Sequence, residues 1–148
     1  MKIERINKFF GCNKFAIAGV SRDKKKFGSL IYKELKKKEF NIVAVNPNMD
    51  TFEGEKCYRS VKELPPDIEA LIVVAKPDIS YSIVREAVEK GIRNIFLQQG
   101  AQNAAAINYA EENGINIIYK KCVMMFADPR GIHKFHASLC KLFGVYPK

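Results

Sequence analysis

The sequence predicts a doubly wound α/β domain, a five-stranded parallel sheet in three layers with helices on both faces. Three observations carry this. Five short apolar runs of strand length recur along the 148 residues. Segments of helical period separate them, and turn residues mark the junctions. The runs are apolar on both faces, as strands covered by helices on each side must be.

The elements follow in chain order. Residues 1–10 mix charged and apolar residues and form a helical arm. The first strand is Phe15-Ala16-Ile17-Ala18-Gly19-Val20. A helix follows with Leu30, Ile31 and Leu35 as its apolar stripe and lysines on the other face. Ile42-Val43-Ala44-Val45 is the second strand. Ser60-Val61-Lys62-Glu63 has the spacing of a capping box and marks a short helix before Pro65-Pro66. Residues 70–75 form the third strand. The next helix buries Ile83, Val84, Ala87 and Val88, starts at Pro77-Asp78 with Asp78 as its N-cap, and stops at Gly91. Asn94-Ile95-Phe96-Leu97 is the fourth strand, and a helix over about residues 103–113 ends at Gly114. Ile115 with Ile117-Ile118-Tyr119 gives the fifth strand. The reading is one domain over residues 14–121, followed by an extension, 128–148, with a helix around 133–143.

Hydrophobic residues make up 47% and charged residues 28%, which excludes a disordered chain. The balance of 25 Lys+Arg against 16 Asp+Glu gives +9 and favours an anionic partner: nucleic acid, an acidic membrane surface or a phosphorylated small molecule. The longest apolar runs stop at six residues, too short to span a membrane. The first ten residues lack the apolar core of a secretion signal. Cys12, Cys57, Cys122 and Cys140 include no CxxC pair, so they read as reduced thiols and the compartment as cytoplasmic.

In open α/β sheets, ligands bind beyond the carboxyl ends of the strands, where strand order reverses. With the first strand central and the fourth beside it, that crevice lies between the loops beginning at Gly19 and Gln98. Gly19 permits a tight turn, and Gly28 lets backbone N–H groups approach a ligand at a helix start. Ser21 adds a hydroxyl; Arg22 and Lys26 add cations. Residues 22–38 hold eight Lys+Arg against two acids. Together these describe a phosphate site. It is not a dinucleotide fingerprint, because Ser21 stands at the second glycine and the second strand ends in Asn46-Pro47-Asn48 rather than an acid. No P-loop is present. Asn46 either caps its turn with Pro47 or contacts the ligand.

In this order and spacing the residues resemble the small CoA-binding proteins of Rossmann-like fold, related to the CoA-binding N-terminal domain of the succinyl-CoA synthetase α subunit. The anchors are Gly19-x-Ser21-Arg22 with Lys26-x-Gly28, then Val45-Asn46-Pro47, then Gly54-x-x-Cys57-Tyr58. Leu97-Gln98-x-Gly100-Ala101 and Cys122-Val123-Met124 complete them, and the resemblance covers about residues 13–126. It implies that Gly19, Val20, Ser21, Arg22, Lys26, Phe27, Gly28 and Ser29 hold the pyrophosphate of coenzyme A. Asn46 and Pro47 then sit by the adenosine, and Gln98 to Gly100 meet the pantetheine. Ala75 and Lys76 stand where the family commonly has two prolines against the adenine, and Gln99 where a proline is common. Cys122 falls near the thiol end.

The expected function is non-covalent binding of CoA or an acyl-CoA, as a carrier, sensor or regulator without catalysis of its own. In the synthetase a phosphohistidine on a second domain does the chemistry; here both histidines, His133 and His136, lie in the extension. With Cys140 they offer three metal ligands on one helix face but no fourth, so no metal is expected. Two alternatives remain: an NAD(P)-type dinucleotide module and a basic nucleic-acid-binding protein. Nucleic acid is disfavoured, because no recognition helix or aromatic-interleaved basic strand is present. An oligomer, or a protein partner docked on the Phe135 to Phe143 face, is left open.

Overall fold

Runs of small and β-branched apolar residues build the centre of the molecule. The computed structural model describes residues 3–23 and 25–126. In chain order it holds α1 (Ile3–Phe10), β1 (Phe15–Ala18), α2 (Phe27–Lys37), β2 (Ile42–Val45), β3 (Thr51–Phe52) and β4 (Glu55–Tyr58). Then come β5 (Ala70–Val73), α3 (Pro77–Lys90), β6 (Asn94–Gln98), α4 (Ala104–Glu112) and β7 (Asn116–Lys121). Two 3-10 turns, Val61–Glu63 and Val123–Met125, complete the list.

The strands form one sheet in the order β3-β4-β2-β1-β5-β6-β7. Every pairing is parallel except the β3–β4 hairpin. Alternation along the strands sorts the core into two layers. Phe15, Ile17, Ile72 and Phe96 pack with Ile6 and Phe9 of α1 and with Ile31 and Leu35 of α2. Ala16, Leu71, Val73 and Leu97 pack with Val84 and Ala87 of α3 and Ala106 and Ala110 of α4. The three layers read from the sequence are present.

The sheet has seven strands rather than five. The missed hairpin has a physical reason: of Glu55-Lys56-Cys57-Tyr58 only Cys57 is fully buried, so β4 shows no apolar run. Its absence from the count displaced the crevice. The six parallel strands lie in the order 3-2-1-4-5-6, the common dinucleotide-fold order. The neighbour of β1 at the reversal is therefore β5, and the strand that ends at Gln98 lies one further out.

Three local expectations are corrected. The Ser60 hydroxyl meets the Glu63 carboxylate at 3.5 Å and caps no amide, and the segment is a 3-10 turn. The N-cap of α3 is Lys76, with Pro77 at the start of the helix, so Asp78 sits in the first turn. Leu30 is 48% exposed, its place in the core taken by Tyr32. By contrast, Gly91 closes α3 in the left-handed conformation that its position predicts. The helix around residues 133–143, with His133, His136 and Cys140, lies outside the described residues.

Near its end β7 carries a bulge. Phe96 pairs with Ile118 but Gln98 with Lys121, which leaves one extra residue on β7, and Lys120 takes a φ of 61° there. The irregularity sits beside the cleft described next.

Candidate functional site

A cleft of about 450 Å³ opens at the carboxyl end of the sheet, across the ends of β1, β5 and β6. Its first wall is Gly19, Ser21, Lys26, Phe27 and Gly28. Val74, Ala75, Lys76 and Pro77 follow from the end of β5, and Gln98, Gln99, Gly100 and Ala101 from the end of β6. Its volume is in the range of small-molecule sites.

The first wall is held by close backbone packing. A Cβ built on Gly19 would stand 2.0 Å from the Val74 carbonyl oxygen, and one on Gly28 would stand 2.1 Å from that of Gly19. Strand β1, the turn after it and the first turn of α2 are in contact only because both residues lack side chains. Gly28 therefore serves first the seating of α2 on β1, a tighter demand than the approach to a ligand expected of it. Ser29 is fully buried, and its hydroxyl is spent on the turn: it accepts from the Ser21 amide at 2.9 Å and donates to the Ser21 carbonyl at 2.8 Å.

Two of the helices that start here are uncapped. Lys26 is the N-cap of α2 and Lys76 the N-cap of α3, and neither side chain bonds a first-turn amide. Lysine is a poor choice at a helix N-terminus, where its charge opposes the helix dipole and it has no acceptor to offer. The third helix, α4, is capped in the ordinary way: Asn103 Oδ1 accepts from the Ala106 amide. The Asn103 side chain also donates to the Pro77 carbonyl at 2.8 Å, tying α4 to the first residue of α3. None of the described lining residues is His, Asp, Glu or Cys. The described lining offers cations, amides, the Ser21 hydroxyl and apolar surface, and no carboxylate, imidazole or thiol.

Of the residues singled out from sequence, Gly19, Ser21, Lys26, Phe27, Gly28, Ala75, Lys76, Gln98 and Gly100 come together in this cleft. The others do not line it. Val20 is buried in the core and Ser29 behind the turn. Arg22 points toward β2, donating to the Asn48 carbonyl at 2.9 Å, and lines a second hollow with Met49 to Glu53. Asn46 is consumed internally, donating to the Val20 carbonyl at 2.7 Å and accepting from the Asn48 amide at 2.7 Å. Pro47 is exposed beside it. Cys122 is partly buried and free, next to Val123, whose amide bonds Gln98.

Sequence reasoning left Val74, Pro77 and Ala101 out of the site. The signal was available, because they flank residues that were singled out, and the β5 end is the crevice wall once β4 is counted. Elsewhere, no three His, Cys, Asp or Glu side chains gather as a metal centre would need, among the described residues. No helix among them is long and apolar enough to cross a membrane.

Residues 13–128 match the family described as the CoA binding domain. The chain belongs to the CoA-binding domain family. Among curated relatives, the α subunit of an ADP-forming acetate–CoA ligase II from Pyrococcus furiosus is 30% identical over an alignment of 147 positions that covers 91% of this chain and 30% of the relative. An ADP-forming acetate–CoA ligase from Methanocaldococcus jannaschii is 31% identical over 89% of this chain and 19% of its own. The chain thus spans less than a third of these ligases. The Bacillus subtilis protein YneT is 24% identical, with 74% of this chain and 82% of YneT covered. Among solved structures, a conserved hypothetical protein of Pyrococcus furiosus has a TM-score of 0.74 at 37% identity, over 76% of this chain and 97% of that one. A hypothetical protein from Pyrococcus horikoshii has a TM-score of 0.78 at 28% identity, over 84% and 88%. The Rossmann-like architecture expected from the resemblance is the fold of this CoA-binding domain.

Proposed function

We propose that the cleft binds coenzyme A or an acyl-CoA non-covalently, with the pyrophosphate at the start of α2. The single observation that carries this reading is the pair of uncapped helix starts, each with a lysine in the cap position and each opening on one cleft. An anion there satisfies first-turn amides of α2, complements two helix dipoles and neutralises Lys26 and Lys76. The cleft floor beyond, from Ala75 to Gln98 and Gly100, supplies a mostly apolar track for the pantetheine arm. The adenosine lies toward the Asn46–Pro47 turn.

The reading is of a binder without chemistry of its own, acting as carrier, sensor or regulator in the cytoplasm. Its support is the described lining, which supplies no His, Asp, Glu or Cys side chain. An NAD-type ligand is disfavoured because Asn46, at the end of β2, takes the place of the acid that holds ribose hydroxyls, and its amide is already bonded on both sides.

Calorimetric titration of the purified chain with CoA, acetyl-CoA, dephospho-CoA and NAD tests this. CoA and acetyl-CoA should bind tightest, dephospho-CoA less tightly because it lacks a phosphate for the lysine-rich loop, and NAD least. Tightest binding by NAD would replace this reading with the dinucleotide one. Salt-dependent binding to oligonucleotides with no response to any of the four would replace it with the nucleic-acid one.

A further inference from the structure

The fold leaves half of one buried amide unused. Gln98 ends β6, is 2% exposed and lines the cleft. Its Oε1 accepts from the Val123 amide at 2.9 Å, and since an N–H needs an acceptor, that bond fixes which end of the side chain is oxygen. The Nε2 end carries two N–H donors. Among the described residues it meets no acceptor. Native interiors leave few such groups unpaired, and one on the wall of a cleft points to a partner that arrives with the ligand.

We propose that Gln98 reads the bound molecule and reports its presence to the turn Val123–Met125. The proposal rests on the CoA reading and concerns regulation at that same site. Gln98 lies two strands from β1, a distance of roughly 10 Å at the usual strand spacing. An extended chain advances about 1.2 Å per bond, so the second amide carbonyl of a pantetheine arm, eight bonds beyond its phosphate ester oxygen, falls about 10 Å from the pyrophosphate. That carbonyl is the acceptor matched to Nε2, and it is present in CoA and in every acyl-CoA alike. A bond donated by Nε2 polarises the amide and strengthens the one that Oε1 accepts from Val123.

The turn also borders a hollow that it shares with the site. Met124 lines a hollow of about 490 Å³ with Phe27, Leu30 and Ile31 of α2. Phe27 also lines the cleft. The bulge at Lys120 delivers this turn to Gln98 in place of a regular strand end. Cleft and turn are therefore joined at Gln98 and border a common hollow at Phe27. Such coupling is reciprocal: whatever holds the turn in place tightens ligand binding.

Amide hydrogen exchange on the full chain, with and without saturating CoA, tests the proposal. In the wild type, CoA should slow exchange over residues 123–126 by about tenfold, within the usual range for coupled sites. Gln98→Glu keeps the acceptor for Val123 and removes the donor, so its turn should exchange as in wild type without CoA and not respond to it. Gln98→Leu can neither accept nor donate; its turn should exchange faster and be equally indifferent. Val123→Pro removes the other partner at the first position of the turn, where proline is tolerated. Val123 does not itself line the cleft, yet the change should weaken CoA binding several-fold. Protection of residues 19–29 with none at 123–126 overturns the proposal, as does a wild-type response in Gln98→Glu. Absence of protection anywhere, together with no heat of binding, instead overturns the CoA reading on which it stands.

Discussion

The Ser29 hydroxyl holds both backbone groups of Ser21, accepting from its amide at 2.9 Å and donating to its carbonyl at 2.8 Å. One fully buried side chain on the first turn of α2 thus fixes the conformation of the turn that leaves β1. The turn then continues by local bonds: the Ser21 hydroxyl accepts from the Asp23 amide and the Asp23 carboxylate from the Lys25 amide. The clamp positions a cleft wall without lining the cleft.

Ser29→Ala should expose both effects. Two backbone groups lose their partner, which destabilises by about 1–3 kcal/mol. Urea unfolding measures that loss. CoA affinity should fall as well, because the wall from Ser21 to Lys26 is no longer held in one conformation. Unchanged affinity in a destabilised variant would restrict Ser29 to a role in folding.

Gly28→Ala should act on the fold before it acts on a ligand. The added methyl has no room, standing 2.1 Å from the Gly19 carbonyl, and backbone must move to admit it. A stability loss of about 1–3 kcal/mol or more is expected, together with displacement of α2 from β1. A variant that unfolds at the wild-type urea midpoint would contradict this packing.

How much of this was legible in the sequence depended on whether the signal was periodic or relational. The core strands were readable because Phe15 to Ala18 and Ala70 to Val73 are buried at every position. Strand β4 was not, because a partly exposed strand of Glu, Lys, Cys and Tyr has no apolar pattern, and its pairing with β2 is a tertiary fact. The cleft glycines and Lys26 stood out by type and spacing. Arg22 stood out equally, and sequence gave no sign that its guanidinium turns to the Asn48 carbonyl. The status of Gln98 depends on Val123, 25 residues away, and no local pattern shows it.

Tyr32 should give the alkaline limit of stability a specific signature. Burial, and then the neighbouring Glu55 carboxylate, push its phenol up from 10.0 to about 12. The fold favours the neutral phenol, so this contribution is complete below pH 10 and is lost as pH rises from 10 to 12. Glu55 works in the opposite sense. The Lys36 ammonium holds its carboxyl below the ordinary 4.5, so its contribution is present at neutral pH and lost as pH falls below 4.5. Absorbance titration at 295 nm should show one tyrosine ionising at about pH 12. Tyr32→Phe should remove that step and flatten the fall in stability above pH 10. A variant that titrates as wild type would refute the assignment to Tyr32.

The cations should separate by place rather than by type. Lys26 and Lys76 line the cleft at helix starts, while Arg22 is engaged with the Asn48 carbonyl outside it. A charge-assisted bond to a phosphate contributes about 1.5–3 kcal/mol, equivalent to a tenfold or greater change in affinity. Lys26→Ala and Lys76→Ala should therefore each weaken CoA binding by about tenfold and reduce its dependence on salt. Fold stability should scarcely change, because neither lysine caps its helix. Arg22→Ala should weaken binding less than either, although all three remove one positive charge. Equal losses in the three variants would mean that only net charge draws the ligand in. A dominant loss in Arg22→Ala would move the phosphates out of this cleft, toward the hollow bounded by Met49 and Glu53. Calorimetry at two salt concentrations distinguishes these outcomes, since a bond made in the cleft persists at high salt where long-range attraction is screened.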